Sequence, residues 1–334
     1  MIRTACTVAL AFACLWPGLA KAADATNCSL KLVNTVPLTM AHGGMRPLVG
    51  VKVNGTDLKF LLDTGGILTQ ISAAAAQKLQ LPVTESGAKL LNLSGGASNN
   101  VAMTKTFTLG RLEDRNTGLH MMADTITPGT TAEQEPLFVG LLAADYMGEY
   151  DTELDFAGGK MNYFSQDHCP GKVVYWPATA IAAVPMRFEA HHLILDVMLD
   201  DHPFRAIVDT GAPNTTLTME EAKRVFGLTG DDADKRFEHS FQKLSFEGLE
   251  VSNPHIVIIP DKIGTKDPNN GYATGSHVRR ADDSYFARPP MLIGMNILAK
   301  LHLYIAFSEN KVYITPASPP AQPAPPAPQD GPPH

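Results

Sequence analysis
The sequence predicts an all-β chain of two homologous lobes, each carrying a short helix. Three observations point there. An apolar run ending in Asp-Thr-Gly occurs twice, as FLLDTGG over Phe60–Gly66 and AIVDTGA over Ala206–Ala212. Each run closes a hairpin of alternating residues. The features that follow come in the same order in both halves. A repeat of this kind sets the architecture ahead of any local reading.

The elements follow in order. Val51–Asp63 alternates, turns at Asn54-Gly55 and alternates again, which is a hairpin signal. Val197–Asp209 repeats the plan around Asp200-Asp201, at an offset of 209 − 63 = 146. Nine residues beyond each Asp a helix is expected. Ser72 caps the first. Thr218 and Glu221 form a capping box on the second, and Pro82 and Gly227 supply the stops. The first half then continues with two strand-like runs flanking Leu93–Ala97, a glycine-rich tip, which predicts a protruding hairpin. The second half reaches its next strand, Ser240–Phe246, sooner, so that hairpin is short or absent there. It carries instead a polar loop over Pro260–Pro290, where the first half has Ala123–Phe138. The halves converge again at Leu141–Met147 and Leu292–Leu298, offset 294 − 143 = 151, and stay in register through Leu154–Phe156 and Ile305–Phe307. The lobes are assigned to 27–170 and 171–315. Beyond Thr315, nine of nineteen residues are proline, a composition that favours an extended or disordered tail.

With 334 residues and 44% hydrophobic content, the chain can bury a sizeable core. Its net charge is −7 and no basic run exceeds Arg279-Arg280, which argues against nucleic acid. Residues 1–22 have the pattern of a signal peptide: Arg3, an apolar stretch from Val8 to Leu15, and a small-x-small site at Ala20-Lys21-Ala22. The stretch is broken at Trp16-Pro17-Gly18 and is too short to span a bilayer. A lipoprotein cleaved before Cys14 is the alternative, with Ala11-Phe12-Ala13 a poor lipobox. Export to the periplasm or medium leaves Cys28 and Cys169, an even pair that reads as one disulfide or as two separate thiols. Closing so long a loop stabilises by roughly 5 kcal/mol in the chain-entropy picture.

Other motifs carry little. There is no HExxH and no GxSxG, and Gly95-Gly96 lacks the lysine of a phosphate loop. His191-His192 is the single adjacent histidine pair, read as strand neighbours on opposite faces. Asp231-Asp232-Ala-Asp234 lacks the glycine and glutamate of a calcium loop. No cofactor and no metal are expected.

The repeat itself carries chemistry. A carboxylate at the end of a buried strand is expensive to ionise, and two of them on one chain suggest that they meet. Like charges a few ångströms apart cannot both ionise, so the pair holds one proton between them. The ionised member takes a proton from water while the protonated member polarises a peptide carbonyl.

At these residues the chain resembles the retropepsin-like aspartic proteases, within the wider pepsin fold. It is similar to a single-chain form carrying both halves, as in some bacterial exported aspartyl proteases. The resemblance covers the chain except for its first residues and the proline-rich tail. It implies an aspartic endopeptidase with Asp63 and Asp209 as the catalytic pair and protein or peptide as substrate. Thr64, Gly65, Gly66, Thr210, Gly211 and Ala212 would support the site, with the two threonines as an interlobe grip. Leu93, Ser94, Gly95, Gly96 and Ala97 would form the tip of a substrate-binding flap. Three positions depart from the pattern. Gly66 and Ala212 stand where pepsins have a hydroxyl residue, which predicts higher dyad pKa values and an optimum near roughly pH 5 to 6. Ala143 stands where the second half has Gly294, and the flap has no tyrosine. A monomer is expected, against a dimer pairing each half with its counterpart. A non-catalytic peptide-binding module on the same fold is the functional alternative.

Overall fold
The computed structural model describes residues 29–91, 97–122, 137–230, 235–260 and 288–317. The signal-like segment 1–22, Cys28, flap-tip residues 93–96, the Asp231–Asp234 cluster and most of the proline-rich tail lie outside the described residues. So do most of both connecting loops, 123–136 and 261–287.

The described chain is mostly β, and its two halves repeat each other. In the first, β1 (Leu32–Ala41), β2 (Arg46–Val53) and β3 (Thr56–Asp63) run antiparallel. Asn54 and Gly55 turn β2 into β3, both at positive φ, 51° and 83°, as a type I′ turn requires. Next come β4 (Gln70–Ser72) and α1 (Ala73–Lys78). β5 (Val83–Leu91) pairs with β6 (Ala97–Met103), and β7 (Thr106–Leu109) with β8 (Leu112–Arg115). β9 (Gly118–Met122) and β10 (Gly140–Ala143) complete the lobe, and β11 (Asp151–Asp155) and β12 (Lys160–Phe164) form its terminal hairpin.

The second half has β13 (Ala182–Glu189), β14 (His192–Leu199) and β15 (His202–Val208), then β16 (Thr216–Thr218) and α2 (Met219–Phe226). There follow β17 (Phe237–Ser240), β18 (Lys243–Phe246), β19 (Leu249–Ser252), β20 (His255–Ile259), β21 (Met291–Ile293) and α3 (Met295–Leu298). The terminal hairpin is β22 (Leu301–Ala306) with β23 (Lys311–Pro316).

The protruding hairpin of the first half is present as β5 and β6, with Leu91 opposite Ala97. Among the described residues the second half has no counterpart of β5; β17 pairs directly with β20, as β6 does with β9. Three local expectations need correction. Ser72 caps α1 through its hydroxyl, which accepts from the Ala75 N–H at 3.2 Å. Thr218 sits at the N-cap of α2 but makes no side-chain cap bond, so the capping box does not form. Glu221 is engaged by the Arg224 guanidinium instead, at 3.1 Å from Nε. The run Ser240–Phe246 is two strands rather than one. Asp200 Oδ1 accepts from both Gln242 and Lys243 N–H at 2.8 Å and redirects the chain, while Phe241 turns into the core. His191 belongs to a turn at positive φ, and only His192 begins a strand.

The lobes meet in a six-stranded antiparallel sheet, ordered β1, β12, β11, β22, β23, β13. β11 and β22 make the pairing that crosses between halves. Glu153 faces Tyr304 in it, and these are repeat equivalents (304 − 153 = 151), so the pseudo-twofold axis passes between them. Strands β1 and β13 each leave this sheet halfway to join their own lobe. Glu153 is buried, accepting from Asn162 Nδ2 at 2.7 Å and Tyr175 Oη at 2.7 Å, with His302 Nε2 at 2.8 Å. Burial pushes the Glu153 pKa up, but these partners outweigh it and hold the carboxyl below its usual range. Glu153, Asp155 and His302 bring ligand-type atoms within 4.8 Å of one another. Each carboxylate is already engaged, Asp155 by the Gly158 N–H at 2.7 Å, so the group is read as an interlobe hydrogen-bond cluster.

Glu153→Leu removes the acceptor shared by two buried groups, Asn162 and His302, and by the hydroxyl of the more exposed Tyr175. Chemical denaturation should show a loss of about 3 kcal/mol or more; a change below about 1 kcal/mol would show that the seam does not depend on it.

Candidate active site
Each Asp-Thr-Gly segment is positioned by three strands. β3 runs parallel to β10, with Ala143 level with Asp63, and β15 runs parallel to β21. β4 and β16 then cross back antiparallel to the same partners. The apolar residues before each aspartate, Phe60 to Leu62 and Ala206 to Val208, are at most 2% exposed. A strand buried on both faces gives such an unbroken apolar run. It delivers the carboxylate to its end with no freedom to swing away.

The two aspartates meet. Asp63 and Asp209 are both fully buried. A methyl group on Gly65 would lie 2.2 Å from the Asp209 Cγ, and one on Gly211 would lie 2.4 Å from the Asp63 Oδ1. Each glycine of one lobe therefore lies against the carboxylate of the other, and only hydrogen fits there. The Asp63 side chain is close enough to Asp209 to act on its proton affinity. The inner oxygens are held by backbone donors. Asp63 Oδ1 accepts from Gly65 and Gly66 N–H at 3.2 and 3.1 Å, and Asp209 Oδ1 from Gly211 and Ala212 N–H at 2.9 and 3.0 Å.

Below the dyad the threonines cross over. Thr64 Oγ1 donates to Val208 O and Thr210 Oγ1 to Leu62 O, both at 2.7 Å. Each hydroxyl also accepts the other threonine's backbone N–H, at 3.0 and 3.1 Å. This is the interlobe grip expected of Thr64 and Thr210. All four bonds are fully buried.

Burial pushes Asp209 up to about 6, against the opposing pull of the Arg288 guanidinium, the Ala212 and Gly211 N–H groups and the Asp63 side chain. A second cation comes from the first lobe. Arg46, at the start of β2, donates from Nη1 to Gly211 O at 2.7 Å and interacts with both aspartates. Neither arginine follows from the motif. The fold brings each close enough to act on the dyad.

A further shell repeats in both lobes and was not singled out from sequence. Thr69 N–H and Oγ1 donate to Asp145 at 2.9 and 2.6 Å, and Ala143 N–H donates to Thr69 Oγ1 at 3.1 Å. In the second lobe Thr215 N–H and Oγ1 donate to Asn296 Oδ1, both at 2.8 Å, and Gly294 N–H donates to Thr215 Oγ1 at 3.0 Å. Thr69 and Thr215 sit at the Asp-Thr-Gly offset, 215 − 69 = 146, a signal that was legible. Burial pushes Asp145 up, opposed first by its hydrogen bonds from Thr69. The departure at Ala143 is accommodated without loss of this pattern. Its Cβ lies 3.2 Å from where a methyl on Gly66 would be. In the second lobe the small residues are exchanged, Ala212 for Gly66 and Gly294 for Ala143. A methyl on Gly294 would meet Asn214 O at 2.4 Å.

The two glycines of the first motif should differ in tolerance. Gly65→Ala places a methyl inside the Asp209 carboxylate and should unfold or split the lobes, at a cost above about 3 kcal/mol. Gly66→Ala meets neighbours at 3.2 Å and should cost about 1 to 2 kcal/mol by thermal denaturation. Equal costs would contradict this packing.

Among known proteins, residues 49–145 match the family model described as aspartyl protease. No curated protein sequence matches the chain. Among solved structures, the aspartic proteinase from Irpex lacteus aligns over 86% of this chain and 98% of its own, with 12% identity and a TM-score of 0.48. A retropepsin-like aspartic protease from Rickettsia conorii aligns over 42% of this chain and 95% of its own, with 15% identity and a TM-score of 0.27. Over residues 49–145 the chain is thus similar to the aspartyl protease family.

Proposed function
We propose that the protein is an aspartic endopeptidase, with Asp63 and Asp209 sharing one proton. The supporting observation is the reciprocal packing of Gly65 on Asp209 and Gly211 on Asp63, which joins two fully buried carboxylates across the lobe boundary. The ionised carboxylate removes a proton from an attacking water. The protonated one donates to the oxygen of the scissile carbonyl, giving a tetrahedral diol. That intermediate collapses when a carboxyl proton passes to the leaving nitrogen, so no acyl-enzyme forms. The hairpin of β5 and β6 supplies the flap over the substrate, its tip at 93–97.

The surrounding expectations belong to the same proposal. The protein is exported to the periplasm or medium after loss of residues 1–22 and is joined by a Cys28–Cys169 disulfide. It works as a monomer, its lobes dividing near residue 170. The even cysteine pair after cleavage supports the disulfide. The β11–β22 pairing within one chain supports the monomer. No helix among the described residues is long and apolar enough to cross a membrane.

Asp63→Asn and Asp209→Asn should each reduce peptide-bond cleavage by at least about 10³-fold in a peptide-library assay. If either single variant kept full activity, the shared dyad would be wrong. A variant that loses cleavage but binds peptide unchanged separates chemistry from binding. A chain that binds peptides yet cleaves none at any pH would be the non-catalytic module.

The raised Asp209 pKa sets a pH window. With about 6 in the folded chain against 3.8 for the free side chain, the folded protein holds this proton more tightly. Cleavage should therefore fall as pH rises through about 6. Stability should follow the same sign. The contribution is fully present below about pH 4 and is lost as pH rises through about 6, some 3 kcal/mol in all. Asp209→Asn carries no charge to bury. It should melt above the parent at pH 8 and show no such advantage at pH 4. An Asn variant less stable than the parent at pH 8 would contradict the assignment.

A further inference from the structure
The dyad is symmetric, but the cations beside it are not. Arg46 lies 17 residues before Asp63; the repeat equivalent in the second lobe is His192, at 192 − 46 = 146. Arg288 lies six residues before Gly294; its equivalent is Leu137, at 288 − 137 = 151, which packs against the apolar cluster of Leu48, Leu61 and Leu141. The framework that both lobes share, threonine grip and Thr69/Thr215 shell included, does not require either arginine.

Arg46 is the better defined of the two. It is half-buried, and its one protein hydrogen bond among the described residues is from Nη1 to Gly211 O. No carboxylate among those residues lies within the 4 Å of an ion pair. A guanidinium has five N–H donors in a planar fork suited to a carboxylate. A bond to one carbonyl uses one of them. Desolvation opposes its charge and the aspartates favour it, but the dyad carries at most one negative charge while it is competent for chemistry. A partly desolvated cation in a substrate cleft without its own counter-ion is an anion-recognition element.

Resting on the proteolytic reading, we propose that Arg46 selects peptides bearing a carboxylate close to the scissile bond. The carboxylate is an acidic side chain next to that bond, bound by the guanidinium fork while Nη1 keeps its contact with Gly211 O. Arg288 adds positive charge from the opposite lobe. A free C-terminal carboxylate shares the same chemistry and is separated from an acidic side chain by the experiment.

The test uses matched peptides with Glu or Gln beside the scissile bond, each as a C-terminal acid and as an amide. In the full-length protein, kcat/KM for the Glu peptide should exceed that for Gln by about ten-fold or more. The ratio should fall below about two-fold in Arg46→Gln and recover in part in Arg46→Lys. Raising salt should erode it further in the lysine variant than in the parent. A preference that follows the free C-terminus, and not the side chain, assigns Arg46 to terminal carboxylates and overturns the side-chain form. A Glu-to-Gln ratio near one in the parent, or unchanged in Arg46→Gln, overturns the proposal and leaves Arg46 as an interlobe latch. The same peptides are titrated onto Asp63→Asn. An Arg46-dependent Glu preference in binding, with no cleavage by the parent, would refute the catalytic reading while supporting this one.

Discussion
The structure depends on holding two carboxylates together where water cannot solvate them. Each is fully buried, and a buried charge without partners is unfavourable by several kcal/mol. The threonine crossover is what makes their meeting possible. It ties the last strand carbonyl before each aspartate, Leu62 O and Val208 O, to the hydroxyl of the other lobe. The carbonyl that a strand would leave unpaired at its end is satisfied across the boundary, and so is the threonine N–H. The aspartates are thus fixed relative to each other by backbone geometry, without depending on side-chain rotamers. Gly65 and Gly211 follow from the same constraint, since the loops they belong to must touch the opposing carboxylate.

The far end of the boundary is built by a different device. There the six-stranded sheet joins the halves by β11 and β22, and the axis falls on Glu153 and Tyr304. Equivalent positions face one another yet carry different residues, an acid and an aromatic. Two glutamates at this point would repel in a buried layer. One glutamate with His302, Asn162 and Tyr175 around it is satisfied. Fusing two halves in one chain permits that asymmetry, whereas identical subunits would place the same side chain on both sides of the axis.

Much of the architecture was legible because the repeat is written in local signals. Asn54-Gly55 and Asp200-Asp201 mark turns by their tolerance of positive φ, and alternation marks the strands either side. The two Asp-Thr-Gly copies marked the dyad and its grip for the same reason. What was not legible depends on competition or on distance in the chain. The capping box does not form at Thr218, and the Glu221 carboxylate meant for it is held instead by Arg224, one turn on. The break at Phe241 and Gln242 arises from Asp200, some forty residues away. Arg46 and Arg288 sit in unremarkable sequence. Only the fold carries them to the dyad, Arg46 by its bond to Gly211 O across the lobe boundary and Arg288 from within the lobe of Asp209.

The pattern of what repeats and what does not separates two kinds of requirement. Positions that hold the carboxylates repeat in identity or in exchange: Asp, Thr and Gly directly, Gly66 with Ala143 against Ala212 with Gly294 as a reciprocal swap of one methyl. Catalysis at a shared proton asks only that both carboxylates exist in one environment, so symmetry suffices for it. A peptide, however, has a direction. Its residues on the two sides of the scissile bond meet different lobes, and a twofold-symmetric cleft presents the same groups to both. Distinguishing one side from the other requires differences between the lobes. Those differences are the β5–β6 hairpin present in one half, and the cations Arg46 and Arg288 set against His192 and Leu137. On the proteolytic reading proposed above, charge that repeats in neither lobe, placed beside a dyad that does, serves to read the substrate.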